Sequence, residues 1–141
     1  MNRHAAIASQ PCGKVVNADI DVVAHREFEQ KICHAAGIEA YLPLWGISRE
    51  LIKDNILAHD IKSKLVVVSK DFPLAEYLAK DYASLDFEQL RKIGVDVCGE
   101  NGEFHTLVYD APLFNSPLKI IPGEIYDLGS VLLCDFLLAK E

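Results

Sequence analysis

Residues 14–42, KVVNADIDVVAHREFEQKICHAAGIEAYL, decide the fold class of this chain. The apolar run at 14–16 predicts a short strand. Apolar residues then recur at helical spacing over residues 23–36, and Gly37 follows, where a left-handed residue commonly ends a helix. Residues 38–42 predict a second strand. A strand–helix–strand unit is the local signature of a parallel sheet, so we expect an α/β protein.

Short polar residues indicate where the helices begin, because their side chains can accept hydrogen bonds from the free N–H groups of a first helical turn. The expected caps are Asp19 or Asp21 for the first helix, Ser48 for the second, and Ser84 or Asp86 for the third. The third helix should end at Gly94. Between the second and third helices, residues 65–68 predict a buried strand.

The C-terminal third of the chain is β by pattern. The expected strands cover residues 103–109, 118–121, 124–128 and 131–139. Turns are expected at Pro122-Gly123 and at residues 128–130. Alternation along the first of these strands places Glu103 and His105 on one face.

Composition excludes several classes of function. Fourteen Lys and Arg against 21 Asp and Glu give a net charge of −7, which disfavours nucleic-acid binding and docking on anionic lipid. The most apolar stretch, residues 131–139, is far shorter than the ~20 residues of a membrane-spanning helix. With no signal peptide evident, we expect a cytoplasmic protein. Its cysteines should then be reduced thiols: Cys12, Cys33, Cys98 and Cys134.

The residues richest in chemistry lie at 98–114, CGENGEFHTLVYDAPLF. Two carboxylates, a thiol, an imidazole and a hydroxyl fall within its first nine positions. Neighbouring carboxylates raise one another's pKa, which suits proton transfer. Glu-Asn-Gly is also ordinary turn chemistry, so a solvated polar turn is an open alternative. Another is a thiol-dependent hydrolase with Cys98 as nucleophile and His105 as base.

Common nucleotide-binding and hydrolase motifs are absent from the sequence. It contains no Gly-x-Gly-x-x-Gly, no Gly-x-x-x-x-Gly-Lys-Ser/Thr and no Gly-x-Ser-x-Gly. The pair Gly13-Lys14 leads into two valines instead of Ser or Thr, so it is interpreted as the entry to a strand.

The segment CGENGEFHT at 98–106, followed by DAPLF at 110–114, resembles the signature of the diphthine–ammonia ligase family. Upstream residues resemble the same family: Asp19-Ile20, Arg26, Glu29 and Pro43-Leu44-Trp45. The Glu-x-Gly-Glu-Phe-His-Thr run is fairly specific, whereas Pro-Leu-Trp alone would be a weak match. Two departures stand out. The family's Ser-Gly-Gly-Lys-Asp-Ser phosphate loop is missing, and Ala18 replaces the glycine of its Gly-Asp-Ile segment.

The resemblance implies an ATP-dependent amide ligase of the PP-loop, adenine nucleotide alpha hydrolase-like type. ATP, with Mg²⁺, would adenylylate a substrate carboxylate and release pyrophosphate, and ammonia would then displace AMP. In the family's named reaction the carboxylate belongs to diphthine on translation elongation factor 2. In an organism without diphthamide the substrate would be another carboxylate.

The resemblance also implies a fold and two domains. Residues 1–46 would be the C-terminal part of a parallel, Rossmann-like (PP-loop or HUP-type) nucleotide-binding sheet. Residues 47–141 would be a mixed α+β, β-rich substrate-binding domain. On this interpretation the sequence begins inside the nucleotide-binding domain, as a truncated or split gene product, and this chain alone should be inactive.

The residues assigned to the site follow from the same resemblance. The expected catalytic residues are Glu100, Glu103 and His105. The expected substrate-binding residues are Asp19, Glu29, Cys98, Gly102 and Thr106. No metal site is expected. The alternative function is a non-catalytic substrate-binding module that works with a separate ATP-binding chain. An incomplete parallel sheet leaves an unpaired edge, which predicts a partner chain, a homo-oligomer or poor solubility.

Overall fold

The computed structural model describes residues 13–139, and Cys12 lies outside the described residues. The chain divides into two units at the junction between Ser48 and Arg49. Each unit has its own sheet, the first parallel and the second antiparallel. The mixed α/β class expected from the sequence is therefore confirmed.

The first unit is a single strand–helix–strand element. Strand β1 (Lys14–Val16) pairs in parallel with β2 (Glu39–Tyr41), and helix α1 (Val23–Ala35) connects them. Gly37 follows α1 with a φ of +69°, which a residue without Cβ adopts at little cost. The predicted parallel pairing and the predicted helix end are both confirmed.

The expected aspartate cap of α1 is wrong. Val22 occupies the N-cap position and makes no side-chain cap hydrogen bond. Its carbonyl oxygen accepts from the N–H groups of His25 and Arg26, at 3.0 and 3.2 Å. The Asp19 carboxylate contacts the His25 ring instead, so it is committed to a side-chain pair.

The second unit is built on a four-stranded antiparallel sheet in the order β4-β3-β6-β5. Helix α2 (Arg49–Ala58) leads into the central strand β3. The strands are β3 (Lys62–Ser69), β4 (Phe104–Asp110), β5 (Ile120–Asp127) and β6 (Val131–Leu138). The predicted run at 65–68 lies inside β3, where Leu65 and Val68 are almost fully buried.

The long connection from β3 to β4 supplies most of the core. It contains two 3₁₀ turns (Ala75–Tyr77 and Tyr82–Ser84) and helix α3 (Phe87–Lys92). Asp86 caps α3 by accepting a hydrogen bond from the Gln89 N–H at 2.9 Å, as one of the two predicted caps requires. The buried side chains that pack with the sheet are Leu74, Leu78, Tyr82, Leu85, Leu90, Val95, Phe104 and Cys134.

The predicted turn at Pro122-Gly123 is wrong, because β5 runs through it as a bulge. Pro122 pairs with Phe136 and Ile125 pairs with Cys134, so two residues of β5 lie opposite Asp135. A proline is tolerated here because β5 is the edge strand and needs no N–H donor on its open side. The turn at 128–130 forms as expected, with Gly129 at a φ of +85°.

Among residues 13–139, no helix combines the length and apolar character that a membrane crossing requires.

Candidate functional site

The turn between α3 and β4 is organised around one buried carboxylate. Glu103 is 2% exposed. Its Oε1 accepts from the Asp96 N–H at 3.0 Å, and its Oε2 accepts from the Asn101 N–H at 2.9 Å. The Asn101 side-chain amide also donates to Oε1 at 3.2 Å. Residues 96–103, called the carboxylate turn below, therefore fold around the side chain of their last member.

These donors keep Glu103 ionised. Burial raises the pKa of the carboxyl, but the N–H groups of Asp96 and Asn101 favour the charged form, and the net effect lowers the pKa of Glu103. A carboxylate in this state at neutral pH is a hydrogen-bond acceptor, not a proton donor.

Asp96 is the second anchor of the carboxylate turn, and its side chain is 6% exposed. Oδ1 accepts from the Cys98 N–H at 2.7 Å, as a turn-forming aspartate does, while Oδ2 forms an ion pair with the Arg49 guanidinium. Arg49 is the first residue of α2, so this pair ties the turn to a helix distant in sequence.

Two glycines allow the turn to close. Gly99 has a φ of +72°, and a Cβ there would lie 2.9 Å from the Phe104 carbonyl oxygen. Gly102 has a φ of +85° but open space where its Cβ would be. Glycine therefore suits both positions, because of the close approach to Phe104 at the first and the positive φ at the second.

A solvent-open pocket of about 440 Å³ lies on the outer side of this turn. It is lined by Cys98, Gly99, Glu100, Gly102, Phe104, His105 and Thr106. Glu100, His105 and Thr106 are exposed there and present a carboxylate, an imidazole and a hydroxyl to solvent. The structure thus brings together five of the residues expected at the site from the sequence.

Glu103 does not line this pocket. The expectation that it shares a strand face with His105 is wrong, because β4 begins at Phe104 and the Glu103 side chain belongs to the turn. His105 is exposed whereas Glu103 is buried. The geometry gives Glu103 the task of shaping the pocket, and its catalytic role stays a prediction.

The Cys98 thiol lacks the features of a nucleophile. It donates a hydrogen bond to the Arg49 carbonyl oxygen at 3.3 Å. Burial, with the nearby carboxylates of Asp96 and Glu100, raises the pKa of Cys98 to about 11. Because the thiolate is the reactive form, this environment counts against the thiol-dependent hydrolase alternative.

In the first unit, the expected substrate-binding residues Asp19 and Glu29 form a separate cluster with His25. The His25 Nδ1 lies 2.8 Å from the Asp19 Oδ1, and this contact lowers the pKa of Asp19. Burial and the adjacent Asp19 carboxyl raise the pKa of Glu29. Nearby, the Arg26 guanidinium stacks 4.3 Å from the centre of the Trp45 ring.

The second unit matches a known family. The family model described as the diphthamide synthase C-terminal domain matches residues 48–136, well over half of the chain. The chain belongs to the diphthamide synthase C-terminal domain family. The matched range contains α2, the whole carboxylate turn and the four-stranded sheet as far as residue 136 of β6.

Curated relatives of this chain are named diphthine–ammonia ligase. A diphthine–ammonia ligase of Homo sapiens is 31% identical over 101 residues, which cover 68% of this chain and 38% of the relative. One of Mus musculus is 31% identical over 100 residues. One of Schizosaccharomyces pombe is 25% identical over 108 residues, covering 74% of this chain and 18% of the relative. The chain thus spans well under half the length of these relatives.

Within the diphthamide synthase C-terminal domain, sequence reasoning missed Arg49 and Asp96. Each left a weak signal. An arginine in a first helical turn opposes the helix dipole, which favours negative charge there. An aspartate two residues before a turn amide is a common turn-forming arrangement. Neither signal identifies its partner, because the two residues are far apart in sequence.

The N-terminus of α1 does not fit an ATP phosphate. In the first unit, Asp19 and Asp21 precede the N-terminus of α1, where a phosphate group would need free N–H groups and no negative charge. The Gly46 N–H is already bonded to the Ile20 carbonyl oxygen at 2.8 Å. Among residues 13–139, no group of three His, Cys, Asp or Glu side chains is arranged to hold a metal ion.

Proposed function

We propose that this chain serves the substrate side of an ATP-dependent amidation of the diphthine–ammonia ligase type. Family membership and the name of the curated relatives, diphthine–ammonia ligase, support the reaction class. The pocket over the carboxylate turn is the observation that carries the assignment, because it places a carboxylate, an imidazole and a hydroxyl around one open space. The proposed substrate is the carboxylate of diphthine on translation elongation factor 2, with ammonia as the second reactant.

The two units take different parts in this proposal. Residues 47–141 form the substrate-binding domain, in which the pocket lies. Residues 1–46 are the C-terminal part of a Rossmann-like nucleotide-binding domain. The parallel pairing of β1 and β2 through α1 supports this assignment, since parallel strands joined by a helix build such sheets. Asp19 and Glu29 remain proposed substrate contacts of that unit.

The pocket side chains have defined tasks in the amidation. ATP supplies activation of the carboxyl group, and the described residues hold no part of that step. Glu100 attracts ammonium, and His105 accepts the proton that ammonium must lose before its nitrogen can attack. The nitrogen lone pair then forms the C–N bond as the C–O bond to AMP breaks, and the further proton that the nitrogen must lose to become a neutral amide passes to solvent. The Thr106 hydroxyl orients the acceptor, while Cys98 and Gly102 shape the wall of the pocket.

The test uses the full chain with diphthine-bearing elongation factor 2, ATP, Mg²⁺ and ammonium. Pyrophosphate release and conversion of the carboxylate to a carboxamide are measured together, and binding of the elongation factor is measured separately. Turnover that depends on both ATP and ammonium supports the ligase function. If the chain neither binds the factor nor turns over, the proposal is overturned.

The second candidate function is a non-catalytic module that binds the substrate for a separate ATP-binding chain. The carboxylates of Asp19 and Asp21 favour it, because negative charge just before α1 disfavours a phosphate group at that helix N-terminus. Binding of the elongation factor without turnover, followed by turnover when an ATP-binding partner is added, would establish this alternative. The net charge of −7 gives neither candidate an attraction for nucleic acid or anionic membrane, and we propose a cytoplasmic location for both.

Pocket variants separate the roles of the side chains. In the assay that shows turnover, with the chain alone or with an ATP-binding partner added, Glu100→Gln and His105→Gln should each lower kcat/KM about 100-fold or more, because each removes a charge or a proton acceptor. Glu88→Gln is the matched control. Glu88 is exposed on α3 and pairs with Lys92 at 2.8 Å, away from the pocket lining. Equal activity of Glu100→Gln and Glu88→Gln would remove Glu100 from the mechanism.

A further inference from the structure

Two groups of Arg49, its guanidinium and its backbone carbonyl oxygen, hold the carboxylate turn against α2. The guanidinium of Arg49 pairs with the Asp96 Oδ2, and the carbonyl oxygen of Arg49 accepts from the Cys98 thiol at 3.3 Å. Arg49 begins α2, which precedes the central strand β3. The turn is therefore held to a helix that shares no sequence neighbourhood with it.

Asp96 connects Arg49 to the rest of the carboxylate turn through two hydrogen bonds. Its Oδ1 accepts from the Cys98 N–H at 2.7 Å, and its own N–H donates to the Glu103 Oε1 at 3.0 Å. Glu103 in turn accepts from the Asn101 N–H at 2.9 Å. One chain of contacts thus runs from Arg49 through Asp96 to Glu103, and it encloses the backbone that carries Glu100.

The Arg49 guanidinium compensates the buried negative charge of the Asp96 carboxylate. Asp96 and Glu103 are both nearly inaccessible carboxylates, with 6% of the Asp96 side chain and 2% of Glu103 exposed. A buried charge left without its partner is strongly destabilising. The helix dipole disfavours a cation at the first position of α2, so the local sequence preference does not explain an arginine there. The ion pair with Asp96 does.

We infer that Arg49 and Asp96 are positioning residues for the pocket, and that their ion pair fixes the carboxylate turn and thereby the placement of Glu100 and His105. Neither residue lines the pocket, so they act through the backbone of the turn. The kinetic part of this inference rests on the proposed function, whereas the structural part does not.

The test compares Arg49→Gln, Arg49→Lys and Asp96→Asn in the full chain. The first readout is residue-resolved amide hydrogen exchange at Cys98 and Asn101, which needs no catalytic activity. Exchange at these amides should rise at least roughly tenfold in Arg49→Gln, because the turn opens when Asp96 loses its partner. Arg49→Lys keeps the charge and should restore part of the protection.

Arg91→Gln is the matched control. Arg91 forms a comparable two-point pair with Glu50 of α2, with nitrogen–oxygen distances of 2.7 and 2.6 Å, but it does not contact the turn. Removing it should affect global stability without a selective rise in exchange at Cys98 and Asn101. If Arg49→Gln and Arg91→Gln give the same exchange pattern, the positioning role is overturned.

The second readout is kinetic. For a positioning residue, Arg49→Gln should lower kcat more than it raises KM, since the pocket groups remain present but are misplaced. Asp96→Asn removes the ion pair with Arg49 but keeps an oxygen that can accept from the Cys98 N–H. It replaces Arg49→Gln in both measurements if Arg49→Gln does not fold. Absence of turnover in the unmodified chain, both alone and with an ATP-binding partner, would overturn the proposed function, and the exchange result alone would then decide the inference. Where turnover is present, unchanged kcat and KM in Arg49→Gln despite selective exchange would limit Arg49 to stabilising the turn and would overturn the kinetic part of the inference.

Discussion

The hydroxyl of Tyr82 donates a 2.7 Å hydrogen bond to the carbonyl oxygen of Val97, and both residues are buried. Burial raises the pKa of the Tyr82 hydroxyl, which keeps it protonated as a donor. The ring of Tyr82 packs edge-on against Phe87 with centroids 5.3 Å apart. The contact joins the core to the residue just before Cys98, so the core and the carboxylate turn are directly linked.

Tyr82→Phe should lower the free energy of unfolding by about 1–3 kcal/mol. The ring packing survives, but the Val97 carbonyl is left buried without its donor. Tyr126→Phe is the control, since Tyr126 is 43% exposed and its hydroxyl bonds to Glu124 at 3.0 Å near solvent. Urea unfolding measures both. Equal losses in the two variants would contradict a special role for the buried bond.

Gly99→Ala should destabilise the protein more than Gly102→Ala. Both substitutions place alanine at a positive φ, at a cost of about 1–2 kcal/mol. Only at Gly99 does the new Cβ also lie 2.9 Å from the Phe104 carbonyl oxygen, which adds about 1–3 kcal/mol of steric strain. Thermal unfolding of the two variants tests this order, and a larger loss for Gly102→Ala would refute the close approach.

Glu103 should make stability depend on acid pH. Its pKa in the folded state is below the ordinary 4.5, so its stabilising contribution is complete above pH 4.5 and is lost as the pH falls through the folded value. Unfolding free energies of the native chain and Glu103→Gln, measured between pH 7 and pH 3, should therefore converge on acidification. If the two curves of unfolding free energy against pH stay parallel, the pKa of Glu103 is the same in the folded and unfolded states.

Cys98 should alkylate slowly at neutral pH. A pKa of about 11 against an ordinary 9.0 leaves roughly a hundredfold less thiolate at pH 8. Iodoacetamide labelling of Cys98, followed by peptide mass spectrometry, should accelerate steadily from pH 8 to pH 10. The urea-denatured chain, in which the thiol is solvated, is the reference. An apparent pKa below 8 in the folded chain would revive the thiol-dependent hydrolase.

The local sequence pattern was enough to predict helices and strands whose apolar spacing and end residues match their place in the fold. The spacing of apolar residues in 14–42 gave the parallel unit, and Asp86 and Gly94 marked the ends of α3. The Pro122-Gly123 bulge was mistaken for a turn because the same residues suit both. What distinguishes them is the pairing of β5 with Cys134 and Phe136, on either side of Asp135, which is a non-local property.

The sequence predicted which residues form the candidate site, but not which of their side chains face the pocket and which are buried. Glu100, His105 and Thr106 are exposed, as polar residues in a turn and strand start usually are. Glu103 has the same chemistry as Glu100 but points inward, because several N–H groups of the turn converge on it. Sequence alternation carries no information about such convergence. The Arg49–Asp96 pair was missed for the same reason.

The pocket lining falls entirely within residues 98–106, whereas part of its support, the Arg49–Asp96 pair, lies outside that segment. Residues 98–106 of a relative could therefore be grafted into this chain as one short segment. A chimera with only this segment combines the relative's pocket lining with the original residues at positions 49 and 96. A second chimera that also exchanges positions 49 and 96 carries the relative's lining and the relative's supporting pair. Comparing the two would show how far specificity in this family can be moved by grafting a loop alone.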